Sequence, residues 1–229
     1  MSRLLASAAA IVVAGAIGAA GAGAATEINP AVEILFEAKH ITAVQPGTEL
    51  VYKFERKPSD EKVLGLGFTD DIKVKIESEA TEGRKNVLVQ LYSGERARDP
   101  QRITEMDGNP MLVVYLDNAV AHFRELAGGD RAYLKNTFSS DIAKSGKLEP
   151  ATITYKGEQV AGYRVTVTPY VDDPARAKMR GFEGAKFSIF LSEKIPGYFA
   201  KMVSQYTNTG KEAPTLEEVT TLEGVGEVK

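Results

Sequence analysis

Two imidazoles, a few carboxylate pairs and several scattered hydroxyls are what this sequence offers to chemistry. It has two histidines and no cysteine in 229 residues, which excludes a thiol nucleophile, an iron–sulfur cluster or a zinc–thiolate site. His122, in Ala121-His122-Phe123-Arg124-Glu125, could be a ligand or a base facing a pocket. A metal needs several ligands at suitable spacing, and none accompany it, so the expectation is a helix residue paired with Glu125 or Asn118. His40, beside Lys39 near a strand end, reads the same way.

The other chemical candidates have structural explanations. No G-x-S-x-G occurs, and Ser93-Gly94 and Ser139-Ser140 lack the sharp turn and the base that a serine hydrolase requires. Asp70 and Asp71 sit on a strand, where neighbours point to opposite faces and cannot converge on a metal or a glycosidic bond. Asp172-Asp173-Pro174 reads as a helix cap rather than a calcium loop, because the spaced oxygen donors of such a loop are missing. Gly65-Leu66-Gly67 lacks the third glycine and following helix of a phosphate loop and reads as a bend. The sequence therefore names no catalytic residue, no metal site and no cofactor.

The elements that would position these residues are strands, a helical insert, then strands. Period-two alternation marks Leu50, Tyr52 and Phe54, and then Asp71 to Glu77, where Ile72, Val74 and Ile76 alternate with charged residues. Val87, Val89 and Leu91 follow. Later come Ile153 and Tyr155, a Lys156-Gly157-Glu158 turn, Tyr163 to Val167, Phe187 to Leu191, and Ala200 to Tyr206. Between the two sets, Asn109-Pro110 resembles a helix start, and Leu112, Leu116, Ala119, Phe123 and Leu126 fall at helical spacing until Gly128-Gly129. Asp130 can cap a second helix through Lys144, with Tyr133, Leu134, Phe138 and Ile142 on one side. A short third helix is expected over Ala175 to Arg180.

This order predicts an α+β fold, a curved antiparallel sheet of half-barrel type with an inserted amphipathic helical hairpin. Residues 25–210 are expected to form one domain, and 211–229 an edge strand and a flexible tail.

The N-terminus has one basic residue, Arg3, then an uncharged stretch from Leu4 to Ala25 that ends in Ala and Gly. That is the pattern of a signal peptide, expected to span 1–24 with cleavage after Ala24. A retained anchor fits less well, since the strongly apolar part is shorter than the roughly 20 residues a bilayer needs. With no cysteine for lipid attachment, the expected location is the periplasm, without a lipid or membrane anchor. Removing 1–24 leaves 27 Lys and Arg against 31 Asp and Glu, a formal charge of −4. No basic stripe or arm suggests nucleic acid or an anionic membrane.

Gly47 to Phe54, Gly108-Asn109-Pro110, Val171-Asp172-Asp173-Pro174 and Ile195-Pro196-Gly197-Tyr198 give the chain a resemblance to uncharacterised exported proteins of alphaproteobacteria. The architecture resembles the open half-barrels of the periplasmic lipoprotein-carrier superfamily, which implies a curved sheet wrapped around helices with a lipid-binding cavity. From the apolar stripes, the expected function is a non-catalytic binder or carrier of an apolar ligand such as a lipid or acyl chain. Its lining would come from Tyr52, Phe54, Val74, Leu116, Phe123, Leu134 and Phe138. The alternative is an envelope interaction module with a closed core and a protein partner. A cavity of several hundred cubic ångströms would favour the carrier, and helices closed flush on the sheet the module.

Overall fold

The computed structural model describes residues 28–210 and 213–229, so the expected signal peptide lies outside the described residues. Along the chain come α1 (Pro30–Val32), continued as a wider π turn over Glu33–Glu37, then β1 (Glu49–Pro58), α2 (Glu61–Leu64), β2 (Phe68–Glu79), β3 (Lys85–Leu91) and β4 (Gln101–Met106). The helical hairpin follows as α3 (Met111–Ala127) and α4 (Arg131–Ser145), and after it β5 (Lys147–Tyr155), β6 (Glu158–Val167), β7 (Lys186–Leu191), β8 (Phe199–Tyr206), β9 (Leu216–Leu222) and β10 (Val225–Val228). All ten strands join one open antiparallel sheet in the order β10-β5-β6-β7-β8-β9-β1-β2-β3-β4. The fold is α+β, and the sheet is half-barrel-like.

Alternation sets the register. Leu50 stands opposite Val74 and Tyr52 opposite Ile72 across β1 and β2, and Val74 opposite Val89 across β2 and β3. All six are buried. A one-residue slip would turn each of them to the wet face. The β5–β6 hairpin turns at Lys156 and Gly157, both at positive φ, as a two-residue turn of the primed type requires.

The hairpin leaves from the edge strand β4 and re-enters the sheet at β5 near the opposite edge, so it crosses the apolar face. Asn109 Oδ1 accepts the Met111 N–H at 3.0 Å and starts α3. Asp130 caps α4 through the Tyr133 N–H at 2.9 Å. α4 buries Leu134, Phe138 and Ile142, one per turn. α3 buries Met111, Tyr115, Val120 and Ala127 besides Leu112, Ala119 and Phe123, while Leu116 and Leu126 are half-buried. The expected stripe is thus too narrow, because α3 packs against the sheet on one flank and α4 on the other. Hydroxyls tie it down: Tyr115 donates to the Val203 carbonyl at 2.8 Å, and Tyr206 to that of Ala119 at 3.2 Å.

The C-terminal segment corrects an expectation. β9 is no edge strand but lies between β8 and β1, where it joins the two halves of the sheet. Leu216, Glu218, Thr220 and Leu222 turn inward and are buried. The expected flexible tail holds β10, which pairs with β5 and ends in reciprocal backbone bonds of 3.0 Å between Lys229 and Thr152. The short third helix is one 3₁₀ turn, Arg176–Lys178. Asp173 caps this segment by accepting the Ala175 N–H at 2.6 Å.

Candidate functional site

The seven residues expected to line a cavity form two neighbouring groups of the core. Tyr52, Phe54 and Val74 are buried on β1 and β2. Phe123, Leu134 and Phe138 meet around Tyr170, whose ring stacks on Phe123 at 4.0 Å and whose hydroxyl donates to the Leu134 carbonyl at 3.3 Å. Phe138 in turn lies 4.6 Å from Phe187 on β7. Leu116 is half-buried. Between α3 and the sheet, the space bounded by Phe54, Ile72, Met111, Tyr115, Asn118, Ser204 and Glu218 amounts to about 10 Å³. That is the room of one water molecule, far from that of an acyl chain.

Chemistry gathers instead at the rim of this core, around a pocket of about 360 Å³ lined by Arg56, Phe68, Tyr92, Glu95, Arg96, Arg98 and His122. Register builds its inner wall. Arg56 on β1 stands directly opposite Glu218 on β9, with Nε 3.5 Å from Oε1. The other carboxylate oxygen, Oε2, receives His122 Nδ1 from α3 at 2.7 Å and the Tyr206 hydroxyl at 3.5 Å. Glu218 is only 4% exposed. Because a buried carboxylate is costly unless paired, both cations are held close to it.

His122 therefore pairs across 96 residues, and not with Glu125 or Asn118 one turn away. Burial of the ring works against protonation, but the hydrogen bond and charge of Glu218, with the charge of Glu125, outweigh it and hold the imidazole above its ordinary pKa. Protonated, it donates Nδ1–H to Glu218 and keeps Nε2–H for the pocket.

The outer wall is the turn after β3. Asp70 Oδ1 accepts the Ser93 N–H at 2.9 Å and the Ser93 hydroxyl at 2.7 Å, while Tyr92 takes φ +60. A tyrosine in this left-handed region is strained, and such strain clusters at functional sites. Burial opposes ionisation of Asp70, yet the Ser93 and Asp71 bonds and nearby Arg96 outweigh it and keep the carboxyl below its usual range. Burial pushes the Tyr92 hydroxyl up to about 12. Phe54, Phe68 and Tyr92 meet at 5.5–5.8 Å, and the Arg96 guanidinium lies 4.6 Å over the Phe68 ring.

Among the described residues, Arg96 and Arg98 make no salt bridge and no side-chain hydrogen bond. The set can therefore receive an oxyanion from three sides. A carboxylate holding the Nδ1 of an imidazole also orients a general acid or base, but no serine or threonine lines the pocket to act as its nucleophile. Among the described residues no group of three potential metal ligands exists.

His40 is a structural residue. Its Nε2 donates to the Ile34 carbonyl at 2.8 Å and its Nδ1 accepts the Asn109 N–H at 3.2 Å, an arrangement that requires the neutral ring. A larger, open depression of about 600 Å³ lies over β5 and β6, floored by Pro150 to Thr152, Ala161 and Gly162 and rimmed by Tyr163, Ser192, Glu193, Lys194 and Lys229.

Sequence reasoning missed Arg56, Tyr92, Arg96, Arg98 and Glu218. One signal was present: Glu218 lies in phase with Leu216, Thr220 and Leu222, an acid on the core face of a strand, which calls for a cationic partner. Compared with known proteins, the chain matches no family model and no curated protein.

Proposed function

We propose that this protein is a non-catalytic binding module of the bacterial envelope, exported to the periplasm, that works through its surface and keeps a closed core. The observation that supports this reading is the close packing of α3 on the sheet, where the space between them is about 10 Å³, with Phe138 of α4 seated 4.6 Å from Phe187 of β7. A carrier of an acyl chain inside the fold would need the packed Phe123, Tyr170, Phe138 and Phe187 rings to part. Burying each such ring contributes roughly 1.5–3 kcal/mol, and separating all four would cost a large share of the stability of a domain this size. Recognition then belongs to the rim, where Arg56, Arg96, Arg98 and His122 face one pocket.

Native mass spectrometry of the purified protein, with titration of a fluorescent fatty acid, tests the closed core. The expected result is the mass of the bare polypeptide and no saturable fluorescence change. A co-purified lipid, or a fatty acid displaced by enlarging Ala119 to Leu on the buried side of α3, would overturn the reading in favour of a carrier.

A further inference from the structure

We propose that the Arg96–Arg98–His122 pocket and the adjoining turn at residues 61–67 form one docking surface for an anionic phospholipid headgroup at a membrane face. The inference rests on the reading of the protein as a closed-core binding module and names what its rim recognises.

Two independent features meet at Arg56. On its pocket side lie the cations. Arg56 and His122 share the buried Glu218, so of the cations lining the pocket Arg96 and Arg98 are the two that make no salt bridge, with Glu95 as the one acid in the lining. Guanidinium pairs match the oxygens of a phosphate, and a pocket of about 360 Å³ has room for a phosphodiester with its glycerol.

On the other side of Arg56 lies the apolar part. Its Nη2 donates to the Leu64 carbonyl at 2.9 Å and its Nη1 to that of Leu66 at 3.3 Å. The turn thus held displays Val63 at 66% and Leu66 at 69% exposure, two of the most exposed large apolar side chains among the described residues. Their display is built rather than frayed. Asp60 Oδ1 accepts the Lys62 and Val63 N–H groups, and Glu61 Oε1 accepts that of Gly67 at 2.9 Å. At Gly67 a Cβ would stand 3.0 Å from the Arg56 carbonyl oxygen, so the turn lies tight against β1.

Exposed aliphatic tips beside a phosphate-sized cationic pocket fit a headgroup with acyl chains below it better than they fit a free anion, which needs no apolar contact. No helix among the described residues is long and apolar enough to cross a membrane, so the contact is peripheral. The whole chain carries a formal charge of −3, which makes the attraction local, within a screening length of roughly 8 Å.

Co-sedimentation with vesicles tests this, with phosphatidylcholine alone compared against phosphatidylcholine doped with phosphatidylglycerol; wild type and variants share the same N-terminus. Binding is expected only to the doped vesicles. Each cation near an anionic surface is worth roughly a factor of five, so Arg96→Gln with Arg98→Gln should weaken binding roughly twenty-five-fold. Val63→Ser with Leu66→Ser should lower vesicle binding while calorimetry with glycerol 3-phosphate stays unchanged. Lys144→Gln with Lys147→Gln, which removes the same charge from α4 and β5, should change neither.

Three results would overturn the proposal: no retention on doped vesicles, an equal loss in the Lys144/Lys147 variant, or vesicle binding that the Val63/Leu66 variant leaves unchanged. Thermal melts of each variant check that these exposed substitutions leave the fold intact. A fatty acid found inside the core would overturn the closed-core reading separately, since none of these variants touches the core.

Discussion

The two histidines occupy opposite electrostatic worlds. His40 is sealed between the Ile34 carbonyl and the Asn109 amide, and burial, against the pull of the Ile34 bond and Asp107, lowers its pKa. His122 is half-buried, and although burial opposes its protonation, Glu218 raises its pKa. One ring works as a neutral peg that fastens the N-terminal segment to the start of α3, the other as a cation at the mouth of a pocket. What separates them is whether a buried carboxylate or a backbone carbonyl arrives at the ring, a choice made by strands distant in sequence.

The largest effect should come from the His40 side. Asn109 Nδ2 donates to the Tyr52 hydroxyl at 2.9 Å and to the Gly197 carbonyl at 2.8 Å, and its Oδ1 caps α3. Asn109→Ala loses the cap and leaves two buried groups unpaired, which should lower stability by about 3–4 kcal/mol in urea melts. On the His122 side, Glu218→Ala leaves Arg56 and His122 without their shared partner. Both cations reach the solvent at one edge, so the expected loss is smaller, about 2–3 kcal/mol. A larger loss than at Asn109 would reverse the ranking.

Proton NMR of the two imidazoles sharpens the contrast. His40 should titrate below 6.5 and His122 above it, and Glu218→Gln should drop the His122 midpoint because burial then dominates. The stability signs are opposite. The unfolded chain binds more protons than folded His40, so that contribution is whole above pH 6.5 and is lost as pH falls through it. Folded His122 holds its proton more tightly than the unfolded chain, so its contribution is whole below pH 6.5 and is lost as pH rises through the folded pKa. In urea melts across pH, His122→Gln should flatten the alkaline limb and leave the acid limb unchanged. The smallest effect belongs to the surface of the hairpin: Asp117, 3.1 Å from Lys135 and 3.7 Å from Arg131, should change stability by about 0.5 kcal/mol or less when replaced by Asn. A larger change would mean that exposed charge matters as much as the buried pair.

Much of the fold was legible because its signals are local. The alternation of residues 71–77 gives β2, and Asp130 and Gly146 bracket α4. β4 escaped notice, since Gln101–Met106 is an edge strand with an exposed pattern and has no dry face to betray it. β9 was recognised as a strand but misplaced. Alternation reports that a strand has an inside, and says nothing about which strands flank it.

The site was hardly legible at all. Arg56, Arg96, Arg98 and His122 form no basic run, so the absence of a basic arm hid a cationic pocket that four separate segments line.

By itself, the sequence determined most of the secondary elements, the α+β class and the apolar faces, because turn chemistry, capping and hydrophobic period act over a few residues. Tertiary structure decided that α3 closes on the sheet over a space of only about 10 Å³, that β9 closes the middle of the sheet, and that Glu218 arrives beneath Arg56 and His122. Strand order and the partner of a buried charge are long-range outcomes, fixed by which faces must be covered and which charges must be paired once the whole chain is packed.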